Sequence, residues 1–227
     1  MNPVKNSYLF KIIMVVLALS IPLFLYGQKI NEKLLPQFLY TDFNTSQVKM
    51  KSGQVFTSLM NYNTITEKMI FIKGDQYYSL TNPELVDTVY LNGKVFIPVG
   101  KVYYEILLEG PVSLFAQHKG ELIAPGKPAA YGGTSQVSSS EYLSTVSLTG
   151  GEYNLPLPPD YTLEKTTVFW IRKESTWFDF ATEKQFLKIF PGTSTRLKSF
   201  IKENRLKIDN PGHLKKLVDY CNSLDIK

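Results

Sequence analysis

The chain is poor in the residues that build metal centres and disulfide frameworks. Its 227 residues include one cysteine, Cys221, and two histidines, His118 and His213. A single cysteine cannot form a disulfide within the chain, and two distant histidines outside any HExxH-like pair do not supply a zinc ligand set. The sequence therefore predicts no metal site. We interpret Cys221 as buried on an apolar helix face, with an intermolecular disulfide as the alternative.

Signatures of catalysis and of nucleotide binding are also missing. No serine lies in a G-x-S-x-G elbow, and the glycines form neither G-x-G-x-x-G nor a Walker pattern. The sequence therefore predicts no catalytic residue, no cofactor-binding residue and no cofactor. A triad assembled only in the fold stays open, because such residues need not be neighbours in sequence.

A long hydrophobic run occurs only at the N-terminus. Lys5 and Lys11 precede the uncharged residues 12–26, and Gly27 follows them. A basic start, a short apolar run interrupted by Pro22 and a small residue at the end are typical of a signal peptide, here residues 1–27. An uncleaved anchor is the alternative, although a membrane span needs about 20 apolar residues. A lipoprotein is the least favoured alternative, because it needs a cysteine at the cut.

Charge is mild and unevenly distributed. The chain has a net charge of +5, and removal of the signal with its two lysines leaves +3. Residues 182–227 hold ten basic and five acidic residues, so residues 28–181 are close to −2. A basic tail can contact nucleic acid, but in an exported protein a solvated helix face is the better interpretation. We expect no nucleic-acid partner and, after cleavage, no transmembrane span.

Residues 28–181 have the pattern of a β-rich domain. Short runs rich in Val, Ile, Tyr and Phe alternate with turn residues, and 44% of the chain is hydrophobic. Asn92-Gly93 is the strongest hairpin signal, because both residues tolerate the positive φ of a type I′ turn. Residues 101–109 and 112–118 form a second predicted hairpin. Residues 125–140 are small and polar and predict a long exposed loop.

Residues 182–227 change to helical periodicity. Thr182 and Gln185 fit a capping box, and Asn210-Pro211 fits an N-cap followed by proline at the first helical position. Three short amphipathic helices cannot bury their apolar faces alone. The sequence therefore predicts an α+β fold, in which a predominantly antiparallel β domain is followed by a three-helix segment packed on it.

Several polar residues are weak candidates for a site. Glu105 and Glu109 lie four apart on a predicted strand, so both point to one face and could form a glycosidase pair; solvent-facing carboxylates are the simpler interpretation. His118 is interpreted as a partly exposed histidine at a strand end, and His213 as part of a first helical turn. Asp87-Thr88-Val89 matches a short pattern for bacterial O-glycosylation, but Thr88 would need an exposed edge strand.

Paired tyrosines suggest a second kind of site. Tyr77-Tyr78 and Tyr103-Tyr104 lie in predicted strands, where exposed rings could stack on a sugar or a protein partner. The simpler interpretation places one tyrosine of each pair in the core and the other on the opposite face of the sheet.

Two segments carry a family resemblance. The signal ends Leu25-Tyr-Gly-Gln28, and the tail reads Lys188-Ile-Phe-Pro-Gly192, residues 197–204 and residues 213–222. These segments, and more loosely residues 89–97, resemble uncharacterised exported proteins of the Bacteroidetes. The resemblance implies an envelope location and carries over no catalytic residue.

These observations favour an exported cell-envelope protein with a non-enzymatic binding or structural role. The expected locations are the periplasm, the outer-membrane periphery or the extracellular space, and the expected partner is an envelope protein or a glycan. The alternative function is that of a hydrolase acting on envelope or extracellular polymers through a site assembled only in the fold.

Cleavage of the signal is directly testable. Protein purified from its native host should begin at Gln28, because Gly27 fits the small residue at the cut. N-terminal sequencing checks this, and residues upstream of Gln28 still attached would contradict it.

Overall fold

Ten strands join in one antiparallel sheet, and three helices follow it, so the fold is α+β as predicted. The computed structural model describes residues 35–123, 127–128, 134–135, 157 and 161–224. The strands are β1 (Asn44–Met50), β2 (Val55–Asn63), β3 (Lys68–Lys73), β4 (Gln76–Ser79), β5 (Val86–Leu91), β6 (Lys94–Val99), β7 (Val102–Leu108), β8 (Val112–Ile123), β9 (Lys127–Pro128), β10 (Thr134–Ser135), β11 (Thr162–Lys173) and β12 (Thr176–Phe180). Their order in the large sheet is β12-β11-β8-β7-β6-β5-β1-β2-β3-β4, and β9 and β10 form a separate pair.

The Asn92-Gly93 hairpin is confirmed. Asn92 and Gly93 have φ of 51° and 73°, both in the left-handed region that a type I′ turn requires. The flanking residues Leu91 and Lys94 are directly paired. The turn therefore fixes the register of β5 against β6.

Other predicted strands are confirmed with changed bounds. The second hairpin forms between β7 and β8, but β8 continues without interruption to Ile123. Within the predicted loop at 125–140, the short strands β9 and β10 pair with each other. The remainder of that loop, the predicted strand at 142–148 and the signal at 1–27 lie outside the described residues.

Three helices follow the sheet, and the first and third begin where the capping signals in the sequence place them. They are α1 (Glu183–Ile189), α2 (Ser194–Glu203) and α3 (Pro211–Ser223). Thr182 and Gln185 form the capping box of α1 through both reciprocal bonds, and the Asn210 side chain accepts from the His213 amide at 3.0 Å to cap α3. Thr193 caps α2 without a side-chain bond. In the part of the chain that the structure describes, no helix is long and apolar enough to cross a membrane.

The helices cover one half of a single sheet face. Their apolar stripes pack on β7, β8, β11 and β12 and enclose one hydrophobic core. Its fully buried members from the helices are Phe186, Leu197, Leu214, Leu217, Val218 and Cys221. Burial of these apolar side chains against the sheet supplies the driving force that short helices lack in isolation.

Most of the other half of the same face is covered because the sheet curls, while Phe56 near the start of β2 stays 54% exposed. Strands β2 and β3 approach β7 and β8, although other strands separate them in the sheet order. The buried Tyr62 hydroxyl of β2 lies within hydrogen-bond distance of the His118 carbonyl (3.1 Å) and the Tyr103 carbonyl (3.3 Å). The Gly120 amide donates to the Thr64 carbonyl at 2.8 Å. We call the enclosed side the concave face and the other side the convex face.

The close approach at Gly120 gives a test of the curl. A Cβ atom added to Gly120 would lie 2.6 Å from the Thr64 hydroxyl oxygen and 3.0 Å from a Leu163 methyl, whereas one added to Gly192 would meet nothing within 4 Å. We expect Gly120→Ala to lower the free energy of unfolding by about 2 kcal/mol, since a methyl group there would overpack a filled site. Urea denaturation measures this. Gly192→Ala is the control and should change stability by less than about 0.5 kcal/mol. Equal stability of the two variants would contradict the curl.

Candidate functional site

A carboxylate lies in the middle of an apolar row on the concave face. Cross-strand pairs join the hydrophobic core under the helices to the core of the curled half through one line of residues, and Glu105 is the only charged member of that line. The Glu105 side chain is 6% exposed, so its charge must be compensated within the fold. The row runs Val89, Phe96, Glu105, Ala116, Phe169, Phe180.

The side chains of Lys94 and His118 donate hydrogen bonds to this carboxylate. Lys94 Nζ lies 3.0 Å from Glu105 Oε1 and also 3.0 Å from Oε2. His118 Nε2 lies 2.7 Å from Oε2. Lys94 lies two residues from Phe96, and His118 two residues from Ala116, so the strand period of two brings both onto the face of Glu105. Lys94 remains 44% exposed and connects the cluster to solvent.

The partners of Glu105 decide its ionisation. Burial alone would raise the pKa of the Glu105 carboxyl, but hydrogen bonds and positive charge from His118 and Lys94 outweigh burial and hold that pKa below its ordinary value. Glu105 is therefore ionised at neutral pH, and the concave face contains a fixed negative charge that is paired locally.

His118 links this carboxylate to a hydroxyl. Its second ring nitrogen, Nδ1, lies 3.4 Å from Thr167 Oγ1, and Thr167 is paired with His118 across β8 and β11. A hydrogen on Nε2 is needed for the bond to Glu105, so in the neutral ring Nδ1 accepts from the threonine hydroxyl. The order carboxylate, imidazole, hydroxyl is that of a hydrolase triad, and Thr167 is exposed.

The interpretation of Glu105 as a solvent-facing carboxylate was wrong. Glu105 is buried, whereas Glu109 is exposed and lies beyond the end of β7. A register shift between Ile106 and Leu108 also breaks the alternation that would place both on one face. The structure therefore does not form a glycosidase pair from these two residues. A bulge of this kind has no clear mark in the sequence.

The interpretation of His118 as a strand-end residue was also wrong. It lies inside β8, and its side chain is 13% exposed. His213 is in the first turn of α3 as predicted, where its Nδ1 accepts from the Lys207 amide at 3.0 Å. The two histidines do not meet. Among the described residues, no group of three His, Cys, Asp or Glu side chains could hold a metal ion.

The remaining sequence candidates pack or form hydrogen bonds within the fold. Tyr103 and Tyr104 are both buried on opposite faces, with Tyr104 stacked on Trp170 at 5.5 Å. Cys221 is buried as predicted, and burial raises the pKa of its thiol to about 12. Thr88 lies on β5, an interior strand between β1 and β6, and its hydroxyl donates to Asp87 at 3.3 Å. The edge position that O-glycosylation would need is therefore absent at Thr88.

The convex face carries exposed apolar side chains. Val55 and Leu59 of β2 are 57% and 46% exposed, and Tyr90 of β5 is 45% exposed. Strand β1, which lies between β2 and β5, contributes Thr45 and Gln47 to the same surface. Sequence alternation could have identified these positions as sharing a face, but not that the face is uncovered.

Comparison with known proteins adds no assignment, since no protein-family model, no curated protein and no solved structure matches the chain.

The Glu105 cluster predicts a specific pH dependence of stability. A carboxyl whose pKa is lowered by folding stabilises the protein above the pKa of the unfolded chain, about 4.3, and loses that contribution as pH falls through the lower folded pKa. Glu105→Gln should therefore cost about 2 kcal/mol at pH 7, because two donors then face a neutral amide. The cost should shrink below pH 4.

Urea denaturation from pH 3 to pH 7 measures this difference. Glu109→Gln is the matched control, because Glu109 is exposed, and it should leave stability within about 0.5 kcal/mol at every pH. If the free energies of unfolding of the wild type and Glu105→Gln changed in parallel with pH, the ionised and paired state assigned to Glu105 would be refuted.

Proposed function

We propose that the protein is an exported cell-envelope protein whose sheet serves a non-enzymatic binding or accessory role. The observation that carries this proposal is the convex face, where Val55, Leu59 and Tyr90 remain about half exposed. Exposed apolar side chains grouped on one face favour contact with another molecule. The basic start and apolar run of residues 1–27 support the envelope location.

The chemistry of the buried groups supports the same choice. Both Glu105 oxygens have donors, and Lys94 occupies the side of the carboxylate that faces solvent. The Cys221 thiol is buried, and its raised pKa disfavours the nucleophilic thiolate. These groups fit a structural role in the fold.

A hydrolase remains the second candidate because Glu105, His118 and Thr167 form a hydrogen-bonded relay. In such a relay the imidazole would take the proton of the Thr167 hydroxyl as its oxygen attacks an acyl carbon and opens the carbonyl to an oxyanion. The imidazolium would then give that proton to the leaving group as its bond to the acyl carbon breaks. A threonine in the middle of a strand lacks the elbow geometry that exposes a serine nucleophile. The distance of 3.4 Å also makes a weak bond.

Two variants distinguish the binding function from the hydrolase function. Retention of purified protein on an envelope fraction of the source organism should fall about tenfold in a variant with Val55, Leu59 and Tyr90 changed to Ser, since the variant removes the exposed apolar area. Thr167→Val should bind like the wild type. Circular dichroism should show that both variants are folded.

The same samples test hydrolysis with a panel of aryl esters and glycosides. The wild type and Thr167→Val should show equal background turnover. Turnover that Thr167→Val abolishes, with retention unchanged in the convex-face variant, would reject the binding function in favour of the hydrolase.

A further inference from the structure

Tyr90 is exposed and takes no part in the aromatic contacts of the described part of the fold. Its side chain is 45% exposed, and among the described residues no other aromatic ring contacts it. The two tryptophans on the convex face differ, because Trp170 and Trp177 pack on Tyr104 and Phe115 and shield them from solvent. Tyr90 shields no such partner, so its ring is free to contact a ligand.

The surroundings of Tyr90 form a shallow polar groove. Its volume is about 320 Å³, at the lower end of the range for small-molecule sites. Among the described residues, the side chains of Thr45, Gln47 and Asn92 make no hydrogen bond to protein and are exposed. The lining residues are Asn44, Thr45, Gln47, Tyr90, Asn92 and Gly93.

The groove is electrically neutral. None of its lining residues is charged, and Lys49 and Lys94 on the adjoining strands are paired with carboxylates. Lys49 lies 3.1 Å from Asp87, and Lys94 lies 3.0 Å from Glu105. An anionic ligand would find no free cation here, and a cationic ligand no free carboxylate. The groove therefore complements an uncharged, hydrogen-bonding molecule.

The sheet and its turn fix the backbone positions of the groove residues. Gln47 is paired directly opposite Tyr90 across β1 and β5, and Asn92 is fixed by the type I′ turn. A ligand would therefore meet an aromatic ring and two amide groups whose backbone positions are set in advance, which lowers the entropic cost of binding.

We propose that this groove binds a neutral oligosaccharide, an inference that rests on the proposed binding function and names its ligand class. The face of a sugar ring that carries C–H groups would stack on Tyr90, since those groups are attracted to the negative face of an aromatic ring. The side chains of Gln47, Asn92 and Thr45 both donate and accept, as sugar hydroxyl groups require.

Affinity electrophoresis tests the proposal with polysaccharides of known charge. Laminarin, mannan and xyloglucan are the neutral probes, and heparin and polygalacturonate are the anionic ones. At least one neutral probe should retard the protein. Tyr90→Ala should weaken that binding about tenfold, and Tyr90→Phe should change it less than about threefold, because the stacking ring is kept. Leu85→Ala, an exposed change between β4 and β5 that lies outside both the groove and the set Val55, Leu59 and Tyr90, should bind like the wild type.

The outcomes separate this inference from the proposed function. Absence of retardation by every neutral probe, or equal retardation of Tyr90→Ala and the wild type, would overturn the oligosaccharide site. If retention on the envelope fraction still depended on the convex face in that case, the proposed binding function would stand. If neither oligosaccharide binding depended on Tyr90 nor envelope retention on the convex face, both the oligosaccharide site and the proposed binding function would be overturned.

Discussion

The contact between Gly120 and Thr64 is the constraint on which the curled half of the sheet depends. A ten-stranded sheet has an apolar face too large for three short helices, which cover only β7, β8, β11 and β12. The remaining strands bury their side chains by curling, and this brings the β2–β3 turn onto β8 at Gly120. A Cβ atom here would lie 2.6 Å from the Thr64 hydroxyl oxygen, which is held by its bond to the Gln37 carbonyl, so glycine is the residue that fits.

Glu105 lies where the two halves of the concave face meet. Its neighbours in the cross-strand row belong to different cores, Phe96 to the curled half and Ala116 to the half under the helices. A buried ion pair is weak evidence for stability, but it can favour one arrangement over others. Lys94, Glu105 and His118 come from three adjacent strands, and a slip by one residue would move any of them to the convex face. We infer that the cluster fixes the strand registers.

The features predictable from the sequence were local ones. Asn92-Gly93 sets a turn through its own backbone, and the caps at Thr182 and Asn210 involve residues three apart. The burial of Glu105 and the approach of Thr64 to Gly120 were not predictable, because they depend on strands distant in sequence. Likewise, alternation places Tyr90 on one face of β5, but only the tertiary structure shows which face the helices and the curl leave uncovered.

Under the proposed function the two faces have different tasks: the concave face holds the Glu105 cluster, and the convex face around Tyr90 would meet the ligand. Nuclear magnetic resonance during titration with a neutral oligosaccharide tests this division most directly. We expect chemical-shift changes in the amides of residues 44–47 and 90–93, with the ring signals of His118 unchanged. Changes centred on His118 and Thr167, with none near Tyr90, would contradict it and place function on the concave face.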